Sequence, residues 1–255
     1  MTNGYKQRDF VRDFVFPLII FDVVDDKLSY KKFLGTAFLV GNRGYALTSS
    51  HVLKDVNHNI AGMFAGEDGQ WYCFAMEKVE NHKTTDVSIL KLQNGNWVSP
   101  FVISAEKQYG WKDYFLCGYP EMVLREQRDN LDIKGNVMER PDMISIKGHI
   151  RRRIPFTLDK LDIKNIRGNT FYELNNVAGW GCSGSPLFEI EPNRSWKVMG
   201  IYVAQKIFYL ENENDDNTKY IDYSVGYAIT SDAFANWKPD ILDKSILEES
   251  KNFTV

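Results

Sequence analysis

Cysteine is scarce in this chain: Cys73, Cys117 and Cys182 are the only three among 255 residues. The count is odd and no pair has the spacing of a zinc site, so no metal is expected. Secreted chains of this size commonly carry several disulfides, so the scarcity predicts a reduced, cytoplasmic protein. Long apolar runs are lacking too. The longest, Phe14 to Phe21, contains Pro17 and follows Arg8, Asp9, Arg12 and Asp13, with no small-residue cleavage site after it. The expectation is neither a secretory leader nor a membrane span. Nor does one charge dominate. The 31 basic and 34 acidic side chains leave a net −3, which gives no pull toward nucleic acid or anionic membranes. One basic run, Arg151-Arg152-Arg153, reads as a solvated loop. Repeats and low-complexity linkers are missing.

What the chain does have is 44% hydrophobic residues, enough for a core. They fall in short runs rich in Val, Ile, Phe and Tyr, bounded by Gly, Asn and Asp. Phe14–Val24, Lys32–Val40, Val87–Leu92, Asp113–Cys117, Met143–Ile150 and Ser224–Thr230 are examples. Many short strands with turn signals predict an all-β barrel or sandwich. Helical periodicity is confined to Ser231–Trp237, with one turn after Thr48. The polar stretch Asn94–Gly110 divides the strands into residues 14–105 and 111–237, followed by a charged tail, 238–255.

Three segments carry chemistry. Gly181-Cys182-Ser183-Gly184-Ser185-Pro186-Leu187 has a serine between glycines. The glycines permit a tight turn that aims the amides of Gly181 and Ser183 at one spot. Such a pair stabilises an oxyanion, and losing one donor typically costs about 3–4 kcal/mol. The serine hydroxyl needs a base to become nucleophilic. Of four histidines, only His51 ends an apolar strand, in Leu47-Thr48-Ser49-Ser50-His51. Asp86 sits where a polar loop enters the alternating run Val87–Leu92. Each segment alone fits a bland role: a Gly/Ser loop, a structural histidine, a strand-end cap. Together, in the order His, Asp, Ser, they fit a catalytic triad.

These segments resemble the trypsin/chymotrypsin superfamily, particularly its bacterial HtrA-type and glutamyl-endopeptidase-like branches. Gly35-Thr36-Ala37-Phe38 looks like that family's strand before the histidine, and Thr48-Ser49-Ser50-His51 is similar to its Thr-Ala-Ala-His. Thr85-Asp86-Val87-Ser88 is similar to its aspartate strand. Cys117-Gly118-Tyr119-Pro120 resembles the turn opening its second barrel. Val198–Ile201 and Gly226–Ile229 look like its last core strands. The resemblance implies two perpendicular six-stranded antiparallel β-barrels, chymotrypsin-like, with a short C-terminal helix. It implies a serine endopeptidase acting through an acyl-enzyme, with His51, Asp86 and Ser183 as triad and Gly181 and Ser183 as oxyanion donors. It further implies a pocket for the residue ahead of the scissile bond. Its floor would be Val177 beside Ala178, its wall Tyr202, Val203, Ala204 and Gln205, with Val225 or Gly226 opposite. With no carboxylate at the floor, a small or medium apolar side chain is expected there. No cofactor is implied, and the partners are a protein or peptide substrate and a regulatory protein, with no nucleic acid and no membrane.

The chain departs from the pattern at Cys182, where zymogen-type members carry an aspartate that pairs with a freshly cut N-terminus. Cys182 cannot form that pair, so the oxyanion loop forms unaided or is ordered by a partner or substrate. An intracellular protease needs restraint, which favours gating. Cys182 also raises a cysteine-nucleophile reading, although Ser183 holds the motif position. The acidic stretch Glu211-Asn212-Glu213-Asn214-Asp215-Asp216 reads as a solvated hairpin tip rather than a basic-peptide or calcium site. The long, charged segment Glu121–Leu161 is a candidate for partner binding. A catalytically silent barrel used for binding is the alternative. An α/β-hydrolase esterase is disfavoured because its Gly-x-Ser-x-Gly followed by a helix is missing.

Overall fold

A computed structural model describes residues 7, 11–24, 27–54, 56, 59–68, 71–93, 97–121, 141–189, 196–212 and 215–252. Twelve of the thirteen strands in the described residues build two barrels. The first contains β1 (Val15–Val24), β2 (Lys27–Val40), β3 (Tyr45–Ser49), β4 (Asn59–Ala65), β5 (Trp71–Asn81) and β6 (Val87–Leu92). It closes in the order β1-β2-β3-β6-β5-β4. The second contains β8 (Asp113–Gly118), β9 (Ile144–Ile154), β10 (Phe171–Leu174), β11 (Pro186–Glu189), β12 (Trp196–Asn212) and β13 (Asp215–Thr230). It closes by pairing β11 with β12. Barrel closure leaves few free edges, which lets so many β-branched and aromatic runs coexist in one chain.

The short runs are core-forming because both barrels are narrow enough to be filled by side chains. Phe16, Phe64 and Trp97 pack together inside the first barrel; Tyr114, Tyr172, Tyr202 and Leu187 pack inside the second. The polar stretch read as the divide holds a short strand, β7 (Phe101–Ile103), which pairs parallel to β12. Residues 101–103, grouped with the N-terminal half by the sequence reading, thus join the second sheet. The Arg151–Arg153 run is strand, not solvated loop. In β9, Arg152 binds Glu173 at 2.7 Å and Arg153 binds Asp232 at 2.7 Å.

The C-terminal helix is α1 (Ile246–Ser250), lying inside the stretch read as a charged tail. Residues 231–233, where helical periodicity is seen, form only one 3-10 turn. The capping box decides the difference. The Ser245 side chain accepts from the Glu248 amide while Glu248 reaches back to the Ser245 amide. The turn expected after Thr48 is a 3-10 turn over Ser50–Leu53. The acidic stretch 211–216 belongs to the β12–β13 hairpin, with residues 213–214 outside the described residues. Most of the candidate partner segment, residues 122–140, also lies outside them.

Candidate active site

His51 sits on the 3-10 turn that leaves β3, and Asp86 immediately precedes β6. These strands are neighbours, with Ser49 paired to Val87, so the two side chains meet at one end of the first barrel. Asp86 grips the histidine at two points. One carboxylate oxygen accepts the His51 backbone N–H at 2.9 Å; the other lies 2.5 Å from Nδ1. An ionised carboxylate accepts only, so in the neutral ring the hydrogen is assigned to Nδ1 and the lone pair to Nε2. The Asp86 carbonyl accepts from Ser50 N–H at 3.2 Å, and its own N–H donates to the Arg167 carbonyl at 2.9 Å. The second barrel thus braces the carboxylate's backbone.

Ser183 follows a turn in which Gly179, Gly181 and Gly184 all take positive φ, at 88°, 94° and 92°. A side chain at Gly184 would collide with the Thr36 carbonyl, so only glycine brings this turn against β2. Thr36 then ties the turn down. Its N–H donates to the Ser183 carbonyl at 2.9 Å, and its hydroxyl donates to the Gly181 carbonyl at 3.1 Å. The Trp180 carbonyl accepts the Glu121 amide at 2.7 Å. In a trans peptide C=O and N–H point oppositely, so the Gly181 N–H is turned away from Glu121. Among the described residues, neither the Gly181 nor the Ser183 amide has a protein acceptor.

One cavity of about 810 Å³ runs past both barrels and is lined by His51, Ser183, Gly181, Trp180, Tyr202, Val203, Ala204 and Gln205. His51 and Ser183 therefore share a wall. In this structure the Ser183 hydroxyl donates weakly to the Val203 carbonyl at 3.4 Å. Of the expected pocket residues, Tyr202 to Gln205 line this cavity. Val177 is half-buried and, with Ala178 and Gly226, is not among the residues that line it. A second cavity of about 790 Å³ backs onto His51 and Asp86, with Arg167 and Asn165 on its far side.

Cys182 is fully buried, and its thiol donates to the Ala178 carbonyl at 3.1 Å. Burial pushes that thiol up to about 12, so it stays protonated and is no nucleophile at neutral pH. Sequence reasoning missed what Thr36, Glu121, Arg167 and Val203 do. Three act through backbone groups and Thr36 partly so, which residue identity does not disclose.

The trypsin-like peptidase domain model matches residues 35–201, well over half of the chain. A search of curated protein sequences finds no significant match. Among solved structures, the chain is similar to Rv3671c from M. tuberculosis H37Rv, in an inactive form carrying a serine-to-alanine mutation. That pair has 18% identity and a TM-score of 0.52, covering 88% of this chain and 83% of the other. It is also similar to the MamO protease domain from Magnetospirillum magneticum in its apo form. There the identity is 13% and the TM-score 0.52, with 84% and 91% covered. At these identities the two structures speak to fold alone, whereas the two barrels, the shared cavity and the matched domain together make the chain a member of the trypsin-like peptidase family.

Proposed function

We propose that this protein is a serine endopeptidase that cleaves peptide bonds through an acyl-enzyme. The observation that carries the reading is the convergence of the Asp86-gripped imidazole, Ser183 and two unpartnered amides on one cavity. In the reaction, Nε2 of His51 takes the Ser183 proton as Oγ attacks the carbonyl carbon. The carbonyl oxygen gains the charge between the amides of Gly181 and Ser183. The imidazolium, stabilised by Asp86, then gives its proton to the leaving amine, and the acyl group stays on Oγ. Water repeats the sequence and releases the acid. No metal or cofactor enters.

The substrate backbone has a place to lie. β12 pairs with β11 only as far as Ile201, so the same edge beyond Tyr202 has no strand partner among the described residues. An extended peptide can add there as a strand. Lys32, Lys54 and Lys164 line the cavity against a single carboxylate, Glu121, which favours acidic residues near the cleaved bond. Branch membership near the HtrA-type or glutamyl-endopeptidase-like enzymes, cytoplasmic location and restraint by a partner or substrate belong to the same proposal. The anchoring of Trp180 and Gly181 favours a loop that forms unaided, so restraint would act on access to the cleft rather than on loop order.

The test is casein or peptide-library hydrolysis together with fluorophosphonate labelling. Hydrolysis should fall at least about 10³-fold in Ser183→Ala. Labelling should survive Cys182→Ser and vanish in Ser183→Ala. A folded wild type that neither cleaves nor labels would instead be the silent binding barrel.

A further inference from the structure

Tyr202 leaves the backbone beside the nucleophile: its N–H donates to the Ser185 carbonyl at 2.9 Å, and its carbonyl accepts from Gly184 at 2.8 Å. The next carbonyl along, that of Val203, touches the Ser183 hydroxyl. The Tyr202 side chain turns inward and is only 2% exposed. Its hydroxyl accepts the Ala178 amide at 3.1 Å and donates to Gln205 Oε1 at 3.2 Å. The same Gln205 oxygen accepts the Gly179 amide at 3.1 Å. A Cβ placed on Gly226 would lie 2.8 Å from Tyr202 Cε2 and 2.5 Å from the Asn176 carbonyl. The ring is thus wedged close against Gly226, held by the Ala178 amide and capped by Gln205.

That wedge occupies a definite place in the reaction geometry. With the scissile carbonyl on the Gly181 and Ser183 amides and its strand along the β12 edge, its own side chain falls between residues 179–181 and 203–205. From this, and resting on the peptidase reading above, we infer that Tyr202 and Gln205 are the specificity determinants. They narrow the slot behind Ser183 from within, so that cleavage favours glycine, alanine or serine. A larger side chain would have to displace a buried ring and orphan two amides. This narrows the small-or-medium expectation and explains why Val177, Ala178 and Gly226 do not line the cavity.

The experiment measures second-order rates of Ser183 with peptidyl phosphonates carrying alanine, valine or phenylalanine next to the phosphonate. Wild type should favour alanine over phenylalanine at least tenfold. Tyr202→Phe keeps the ring and should keep that order. Tyr202→Ala opens the slot and should shift the ratio toward phenylalanine at least tenfold. Gln205→Gly, a change nearer solvent that spares the core, should admit valine and serves where Tyr202→Ala does not fold. A wild type that accepts phenylalanine as fast as alanine overturns the inference but leaves the peptidase standing. So does an unchanged profile in Gln205→Gly and every folded Tyr202 variant. A wild type that reacts with none of the three, or a Ser183→Ala protein that still reacts, overturns the peptidase reading and this inference with it.

Discussion

His82 lies four residues before Asp86 and supports it without touching it. Its Nδ1 accepts the amides of Thr84 at 3.3 Å and Thr85 at 3.1 Å, and its ring meets Trp237 edge-on at 5.1 Å. Both bonds need the lone pair of the neutral ring. Burial, helped by the charge of Arg167, lowers this histidine's affinity for a proton. The folded value is therefore below the unfolded one. Stability is full above the ordinary imidazole value of about 6.5 and is lost as pH falls below it, because the unfolded chain takes up the proton first. Urea midpoints measured from pH 8 to pH 5 should decline more steeply in wild type than in His82→Asn, which cannot titrate. The sequence singled out His51 and passed over His82, because a structural histidine has no motif: its role rests on two loop amides. The proposed triad of His51, Asp86 and Ser183 was readable as a candidate because its three segments, each ordinary alone, occur together in that order.

At the scale of elements, the decisive contact joins β2 to the nucleophile turn. Thr36 is fully buried, and its hydroxyl both donates to Gly181 and accepts from the Tyr119 amide at 3.1 Å. Removing that hydroxyl leaves two buried groups unmatched, a cost of about 1–3 kcal/mol. In Thr36→Val we expect kcat to fall about 10²-fold, since the Gly181 amide loses its fixed direction. KM should change little, because the β12 edge is untouched, and Thr36→Ser should restore most of kcat. Steady-state kinetics on the three proteins separate these outcomes. The strands were largely readable from apolar alternation, yet β4, β7 and β11 were not. β11 is four residues long and begins at Pro186, and β7 is three residues long inside a polar stretch. Such short strands are set by their neighbours, not by their own pattern. The narrowed pocket was illegible for the same reason: a tyrosine at 202 does not announce which side of the strand it will fill.

Across the whole molecule, α1 fastens the chain's far end to the first barrel. Glu249 is fully buried and bound by Arg43, with Nε at 3.1 Å and a terminal nitrogen at 2.6 Å, and Lys244 stands 3.8 Å away. Ser250 accepts the Ile103 amide at 3.0 Å, tying α1 to β7 as well. The two partners are unequal, because Arg43 is partly exposed and can be solvated alone, whereas Glu249 cannot. Arg43→Ala should therefore cost about 3 kcal/mol by stranding a buried carboxylate, and Glu249→Gln distinctly less. Chemical denaturation of both variants checks the order. The two-barrel plan was legible as a whole from the order of its segments, but this fastening was not, since its partners stand 206 residues apart.

That separation has a consequence during synthesis. A ribosome delivers Arg43 long before Glu249, so the β2–β3 hairpin must wait, its cation hydrated, while the second barrel is translated. His51 and Asp86 emerge early, whereas Ser183 and then Glu249 follow much later. A stalled or prematurely released polypeptide would thus carry neither an assembled cleft nor a locked first barrel, and would be open to clearance.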